Sequence, residues 1–375
     1  MKEMKIDIYD SFSCIADNCS LTCCQQWKIT IDNETVKRWE QLENNFDEPL
    51  LKHVVNEDEN YIMKLNEKRT CPHLNKQKLC SLVEKYGEES ISETCRIFPR
   101  EIHDFGNRKE YALVACCPEV VDMLGKIEQI HFTGEEQEYK EDVLYFIRKL
   151  LISILKDTTI SLAEGLLVCF YILLELLEQE ELTLEHITCY QEKGMMEELV
   201  KTIREMEFNR LDTFDERNEL FLDVSDNYRK QQLYADYLEN IGQEAEQLLE
   251  GYAEEELLKL TEQFKSQIGK YDTLMRNYVV SELYNTILIP ESDYFSMVVM
   301  MQWIGLQYAV MQHAMFLKWK IEGCKNLDYE TVRNYIVIIS RMTGYDQEDI
   351  FEYLENSFQE LIWEWGYFAL VTGSE

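Results

Sequence analysis

Hydrophobic side chains recur with helical spacing through the last two-thirds of the chain. Val143, Phe146, Ile147, Leu150, Leu151 and Ile154 fall at i, i+3, i+4, i+7, i+8 and i+11, which places one apolar stripe along a helix. Comparable stripes over 161–179, 194–209, 229–249, 252–268, 274–288, 294–321, 329–343 and 347–368 predict further helices, with breaks such as Gly251 and Gly344 between them. The first third reads differently. Pro49, Pro72, Pro99 and Pro118, four of the five prolines, fall there and punctuate short elements. Residues 28–32 alternate polar and apolar and predict a short strand, 33–36 open a helix running toward Leu42, and 132–134 read as a linker. The expected fold is mainly α. A cysteine-rich, loop-rich metal-binding region with short strands and helices occupies 1–130, and an acidic all-helical domain occupies 131–375.

Charge changes this picture by selecting partners. The chain carries 37 basic and 71 acidic side chains, a net −34. Residues 1–130 hold 17 and 24 of them, a net −7, which leaves −27 for the helical part. Such a field repels phosphate backbones and anionic bilayers, so neither nucleic acid nor membrane is an expected partner. A basic or lysine-presenting protein suits it, although an ordinary solvated surface explains the same acidity. Residues 294–317 lack Asp, Glu, Lys and Arg and are long enough to span a bilayer. Gln302, Gln307, Gln312 and His313 recur through them, which predicts a central buried helix instead. The opening MKEMKIDIYDSFSC has no apolar leader, so a cytoplasmic location is expected.

In a reducing compartment twelve cysteines point to metal or redox chemistry rather than to disulfides. Nine lie between Cys14 and Cys117. Cys14, Cys19, Cys23 and Cys24 fall within eleven residues; were that run helical, Cys19 and Cys23 would share a face with Cys24 turned about 100° away. Cys71, Cys80, Cys95, Cys116 and Cys117 follow. Cys117 precedes Pro118, a preferred first helical residue, so a helix dipole would lower its thiol pKa. Four thiolates suffice for a tetrahedral zinc or one iron–sulfur cluster, and the spacings match neither zinc-ribbon pairs nor the ferredoxin run. Cys169, Cys189 and Cys324 lie singly in helical segments and read as packing residues.

The motifs Tyr9-Asp10-Ser11-Phe12-Ser13-Cys14, Cys23-Cys24-Gln25-Gln26-Trp27-Lys28, Cys71-Pro72-His73-Leu74 with Leu79-Cys80, Thr94-Cys95 with Phe98-Pro99-Arg100, and Cys117-Pro118-Glu119 resemble the flagellin lysine-N-methylase (FliB) family in order and spacing. They also overlap a wider class of CxxxCxxCC metal-chelating proteins, and the resemblance covers roughly the first 125 residues. It implies S-adenosylmethionine-dependent N-methylation of lysine side chains on flagellin or a similar protein, by a chain carrying an iron–sulfur cluster of the 4Fe-4S type, with zinc as the alternative. It marks Cys14, Cys19, Cys23, Cys24, Cys71, Cys80, Cys95 and Cys117 as the family-type thiols and leaves Cys116 a bystander.

Neither a Gly-rich Rossmann loop nor a C-x3-C-x2-C radical triplet is present, Gln26 standing at the last required position. Polar methyl transfer needs a neutral lysine in a desolvated pocket with a proton acceptor and aromatic walls. Tyr9, Asp10 and Asp32 are candidate catalytic groups, and Trp27 and Arg100 candidate cofactor contacts. Each has an ordinary alternative: Trp27 in the core, Asp32 as a cap, Arg100 in an internal ion pair. His73 and His103 lie near thiols as further ligand candidates. A noncatalytic zinc- or iron-binding adaptor, or an electron-transfer protein, would carry the same cysteines.

Overall fold

The computed structural model describes residues 2–41, 46–57, 60–134, 142–249, 251, 253–344, 347–358 and 364–373. Strand β1 (Lys2–Ile6) turns Met4 and Ile6 inward and lies inside a four-stranded sheet. β2 (Val54–Glu57) and β3 (Asn60–Met63) form a separate antiparallel ribbon. β4 (Arg100–Asp104) and β5 (Arg108–Leu113) make a hairpin, and β5 runs parallel to β1. β6 (Phe132–Gly134) completes the order β4-β5-β1-β6, antiparallel to β1. Residues 132–134 are therefore a strand and not the linker read from sequence. Three residues give no alternation to read, and their partner lies some 128 positions earlier. Gly134 has φ +131, and a Cβ there would stand 2.2 Å from the Glu3 carbonyl oxygen, so this pairing requires glycine.

Residues 28–32 run along β3 with one bridge, Thr30 to Ile62, supported by Ile31 N–H to Tyr61 O at 2.7 Å and Met63 N–H to Ile29 O at 2.9 Å. The predicted strand is cut short because α1 (Asn33–Gln41) begins at once, capped by Asp32. α2 (Ser81–Tyr86), α3 (Glu93–Ile97) and α4 (Pro118–Leu124) complete the first third. A small core of Ile31, Val36, Trp39, Leu50, Met63 and Leu82 organises the ribbon, with Cys71 and Cys80 packed against it.

Twelve further helices follow among the described residues: α5 (Val143–Leu155), α6 (Leu162–Leu177), α7 (Leu184–Thr188), α8 (Lys193–Arg204), α9 (Arg210–Lys230), α10 (Ala235–Leu249), α11 (Glu254–Ile268), α12 (Asp272–Thr286), α13 (Tyr294–Ile321), α14 (Tyr329–Thr343), α15 (Gln347–Phe358) and α16 (Trp365–Gly373). Sequence reading missed α9. Its buried apolar residues Phe214, Leu220 and Phe221 are mixed with buried Thr213, Asn218 and Ser225, so no clean stripe forms. The stripe at 229–249 instead spans the end of α9, a turn with Gln232 and Tyr234 at positive φ, and α10.

α13 is buried along nearly its whole length from Met297 to Leu317. Two of its polar residues are tied to neighbours, His313 to the Asn218 side chain at 2.9 Å and Gln307 to the Thr343 hydroxyl at 2.8 Å, whereas the buried Gln302 amide completes no hydrogen bond among the described residues. Among the described residues no helix is long and apolar enough to cross a membrane. One hydrophobic core runs from Met4 through these helices to Val371, so the sheet and the helices share it. Where α13 meets α16, Gly305 lets the Phe368 ring lie against the backbone; a Cβ would fall 2.2 Å from it. Gly305→Ala is expected to destabilise the fold by about 1–3 kcal/mol, overriding alanine's helix preference of about 1 kcal/mol. An unchanged or raised denaturation midpoint would show that this contact relaxes freely.

Candidate functional site

Backbone hydrogen bonds draw three cysteine-bearing segments together. The Cys71 N–H donates to the Cys24 carbonyl at 2.8 Å, and the Gln26 N–H to the Arg69 carbonyl at 2.7 Å. Leu74 bridges to Cys80, which is the N-cap residue of α2. Cys95 sits in α3, its N–H donating to the Ser92 capping hydroxyl at 3.2 Å. The run from Cys14 to Cys24 is not helical: one 3-10 turn at Ala16–Asn18 gives way to extended backbone at Cys19. At its end, Cys24 to Gln26 pair with residues 69–71 instead of continuing a helix.

The thiols influence one another. A hydrogen bond with Cys24, reinforced by burial, pushes the Cys23 thiol pKa well up. Burial raises Cys71 to about 12, and the charges of Cys95, Cys80 and Cys23 add to it. Burial likewise raises Cys95 to about 11, with Cys23, Cys80 and Asp32 nearby. Cys19 is raised by burial and feels Cys23 and Cys14, and Cys117 feels Cys19 and Cys23. Two overlapping neighbourhoods result, Cys23/Cys71/Cys80/Cys95 and Cys14/Cys19/Cys23/Cys117, with Cys23 common to both. All twelve cysteines are free. Among the described residues no three His, Cys, Asp or Glu side chains converge closely enough to hold one metal ion.

Cys117 does precede a helix with Pro118 at its start, as the sequence predicts. Its pKa nevertheless rises to about 12. Burial outweighs the N–H groups of Val120 and Glu119, because a seven-residue helix supplies too little dipole to offset the loss of water.

The helical part closes over these segments through Arg341 of α14, which is 3% exposed. Its guanidinium donates to the Leu21 carbonyl at 2.7 Å, the Cys116 carbonyl at 2.9 Å and the Tyr234 hydroxyl at 3.3 Å. It also stacks over Trp27 at 5.0 Å. The Gln26 side chain accepts from the Tyr234 N–H, adding a second tie. Sequence reasoning passed over Arg341; the available signal was one arginine, beside Ser340, in the otherwise apolar run from Ile336 to Met342.

The remaining candidates divide. Tyr9 is buried edge-on to Tyr111 at 5.3 Å, with Arg100 at 5.8 Å from its ring. Among the described residues Arg100 does not form the ion pair considered from sequence; it lies over Phe12 at 5.0 Å and donates to the Phe12 carbonyl at 3.2 Å. Asp10 is exposed and pairs with Lys5 at 3.2 Å. Trp27 packs on Phe98 at 5.1 Å and belongs to the Arg341 wall. Asp32 accepts from Thr35 and from the Glu93 N–H. Burial alone would raise the Asp32 pKa, but these hydrogen bonds win and lower it, so the carboxylate stays ionised beside Cys95. His73 is buried with Nε2 unpaired, and desolvation lowers its pKa to about 4. His103 meets the Asn285 carbonyl at 2.8 Å.

Residues 148–371 match the C-terminal domain of the FliB lysine N-methylase family. A flagellar biosynthetic protein FliU from Salmonella muenchen is 28% identical over 157 residues, which is 38% of this chain and 90% of that protein. Proteins named lysine-N-methylase from Salmonella typhimurium and Salmonella choleraesuis are each 29% identical over 124 residues, covering 30% of this chain and 30% of theirs. No solved structure matches.

Proposed function

The chain belongs to the FliB lysine N-methylase family, and on that premise we propose that it transfers methyl groups from S-adenosylmethionine to lysine side chains of flagellin or a similar protein. The match over 148–371 carries this reading, because those helices supply Arg341 and Tyr234 to the wall that covers the cysteine segments. The net −27 of the helical part favours approach of a lysine-bearing partner, and a soluble cytoplasmic setting fits the free thiols.

An iron–sulfur cluster is part of the proposal, and the donor set fits it in kind. Cys23, Cys71, Cys80 and Cys95 are the thiols that would hold it: they come from separate segments, and Cys23, Cys71 and Cys95 resist ionisation because burial and neighbouring thiols disfavour their thiolates. When bound, such a centre supplies the positive charge that stabilises thiolates and ties the loops together. Cys14, Cys19 and Cys117, the neighbourhood that shares Cys23, would support it.

Anaerobically purified protein mixed with radiolabelled S-adenosylmethionine and flagellin should place label on lysine; cluster-loaded protein that labels no lysine overturns the reading. Cys23→Ser and Cys95→Ser should each lose iron and labile sulfide and open residues 1–125 to protease, while Cys189→Ser keeps both. Iron retained in both variants would remove them from the ligand set, and a colourless preparation holding zinc would replace the cluster by that ion.

A further inference from the structure

A cavity of about 80 Å³ lies between α9, α11 and α13, with no residue of the cysteine-rich first third in its wall. α9 presents one face to it, Arg210, Thr213, Phe214 and Arg217 at i, i+3, i+4 and i+7. Part of the wall is apolar and well fixed. Phe316 of α13 meets Phe214 of α9 at 5.5 Å and Phe264 of α11 at 5.5 Å, so rings from all three helices lock together. At roughly 10–15 Å³ for each water-sized group, the space takes on the order of five to eight such groups, the size of a small organic molecule.

Polar side chains at the same cavity lack partners. Thr213 is 3% exposed, and its hydroxyl completes no hydrogen bond among the described residues. Gln312 of α13 is 8% exposed, and its amide also makes no hydrogen bond among the described residues. Adjacent His313, by contrast, is tied to Asn218 at 2.9 Å. Buried polar groups are ordinarily paired, so an orphaned hydroxyl and an orphaned amide from two packed helices mark a place for a hydrogen-bonding ligand.

Charge decides the sign of that ligand. The chain as a whole carries a net −34, yet Arg210, Arg217 and Lys265 stand at this cavity against one carboxylate, Glu262. Glu262 pairs with Arg210 at 3.3 Å, and the Arg217 Nε–H donates to the Val371 carbonyl at 2.6 Å. Lys265 makes no ion pair among the described residues. His313 adds no charge, because burial first and the charge of Arg217 second lower its pKa to about 3. The 21-residue helix α9 begins at Arg210, so the positive end of its dipole lies on the same side. A local excess of cations in so acidic a protein, joined to two unpaired N–H or O–H donors, calls for an anionic acceptor.

We propose that the cavity between α9, α11 and α13 binds a small monocarboxylate with a short hydrocarbon tail. The Thr213 hydroxyl and the Gln312 amide N–H donate to the carboxylate oxygens, while Lys265 and the two arginines supply the counter-charge. The tail lies against Phe214, Phe264 and Phe316, which an inorganic oxyanion would leave uncovered. Each methylene buried there is worth roughly fourfold in affinity. A molecule that touches all three helices binds only the folded chain, so it stabilises this part of the fold by mass action.

Saturation-transfer NMR and thermal denaturation of the full chain at low ionic strength test the assignment, with butyrate as the probe. Butyrate should bind and raise the denaturation midpoint as its concentration rises, whereas acetate, two methylenes shorter, should bind about tenfold more weakly. Butyramide, of similar shape and no charge, should bind at least about tenfold more weakly as well. Thr213→Val should weaken butyrate by about tenfold without lowering the midpoint of the ligand-free protein, since it removes a hydroxyl that has no partner to lose. Lys265→Gln should weaken it about threefold and flatten its salt dependence.

Butyramide bound as tightly as butyrate overturns the anion site, and acetate or inorganic phosphate bound as tightly overturns the role of the tail. Wild-type butyrate affinity in Thr213→Val puts the ligand elsewhere and overturns the location. A wild type that responds to none of the probes at millimolar concentration overturns the whole assignment. Should Thr213→Val fail to fold, Lys265→Gln, at an exposed position, decides: unchanged affinity and salt dependence remove the cavity as the site.

Discussion

Glu110→Ala is expected to lower the stability of the fold by about 3–5 kcal/mol, the usual cost of stripping the partner from a buried charge. Glu110 on β5 is 0% exposed and lies between two arginines that are 1% and 2% exposed. Arg108 Nε donates to it at 2.6 Å, and Arg148 of α5 donates to both its oxygens at 2.6 and 2.7 Å. Asp142, 3.1 Å from Arg108, caps α5 at the same time, so the cluster joins the sheet to the first long helix. Removing the carboxylate leaves two guanidinium groups in a dry interior with their main counter-charge gone. Chemical denaturation measures the loss, with exposed Glu262→Ala as the reference, since its pairing with Arg210 is worth at most about 1 kcal/mol. A Glu110→Ala midpoint no lower than that of Glu262→Ala would show that the cluster is not a structural joint.

The same carboxylate sets an acid dependence with a definite sign. Burial alone would raise its pKa, but the charge of Arg148 and the hydrogen bonds from Arg148 and Arg108 win, holding it below the ordinary 4.5. A depressed folded-state value stabilises the protein above the unfolded pKa. That contribution is present at pH values above about 4.5 and disappears as pH falls through the lower folded-state value. Acid titration should therefore separate wild type from Glu110→Ala at neutral pH and bring them together at strongly acidic pH.

Arg341→Ala is the second large effect, a loss of about 3 kcal/mol together with a collapse of methyl transfer. Hydrogen bonds from a charged group are each worth about 1.5–3 kcal/mol, do not add fully, and here include two backbone carbonyls left without this donor. The local consequence distinguishes a clamp from a general stabiliser. Residues 21–27 and 114–117 should exchange amide hydrogens faster well before global unfolding, because α14 no longer holds them. Arg341→Lys should fall between the two, since one ammonium cannot span three acceptors in different directions. Unaltered exchange in those two segments would sink the clamp.

How much of this was legible beforehand depended on range. The bounds of α13 and α14 coincide with stripes visible in the sequence at 294–321 and 329–343, because a buried helix of that length needs apolar residues that local periodicity displays. The cap at Asp32 and the helix start at Pro118 were legible for the same local reason. The cysteine motifs of roughly the first 125 residues already pointed to the FliB family, and the match over 148–371, a part of the chain that carried no such signal in the sequence reading, agrees. α9 was hidden because burial on several sides by several helices erases a single stripe, and β6 because three residues carry no pattern.

From the order of residues alone came the mainly helical character, the acidic imbalance and the concentration of thiols in the first third; each follows from local spacing or simple composition. Only the folded chain decided that β1 and β5 pair across about a hundred residues and that Arg341 reaches back to Leu21. It also reversed the direction expected for the Cys117 thiol. The reason is physical: hydrogen-bond partners and desolvation belong to neighbourhoods in space, and a charged side chain acquires its chemistry only once folding has set what surrounds it.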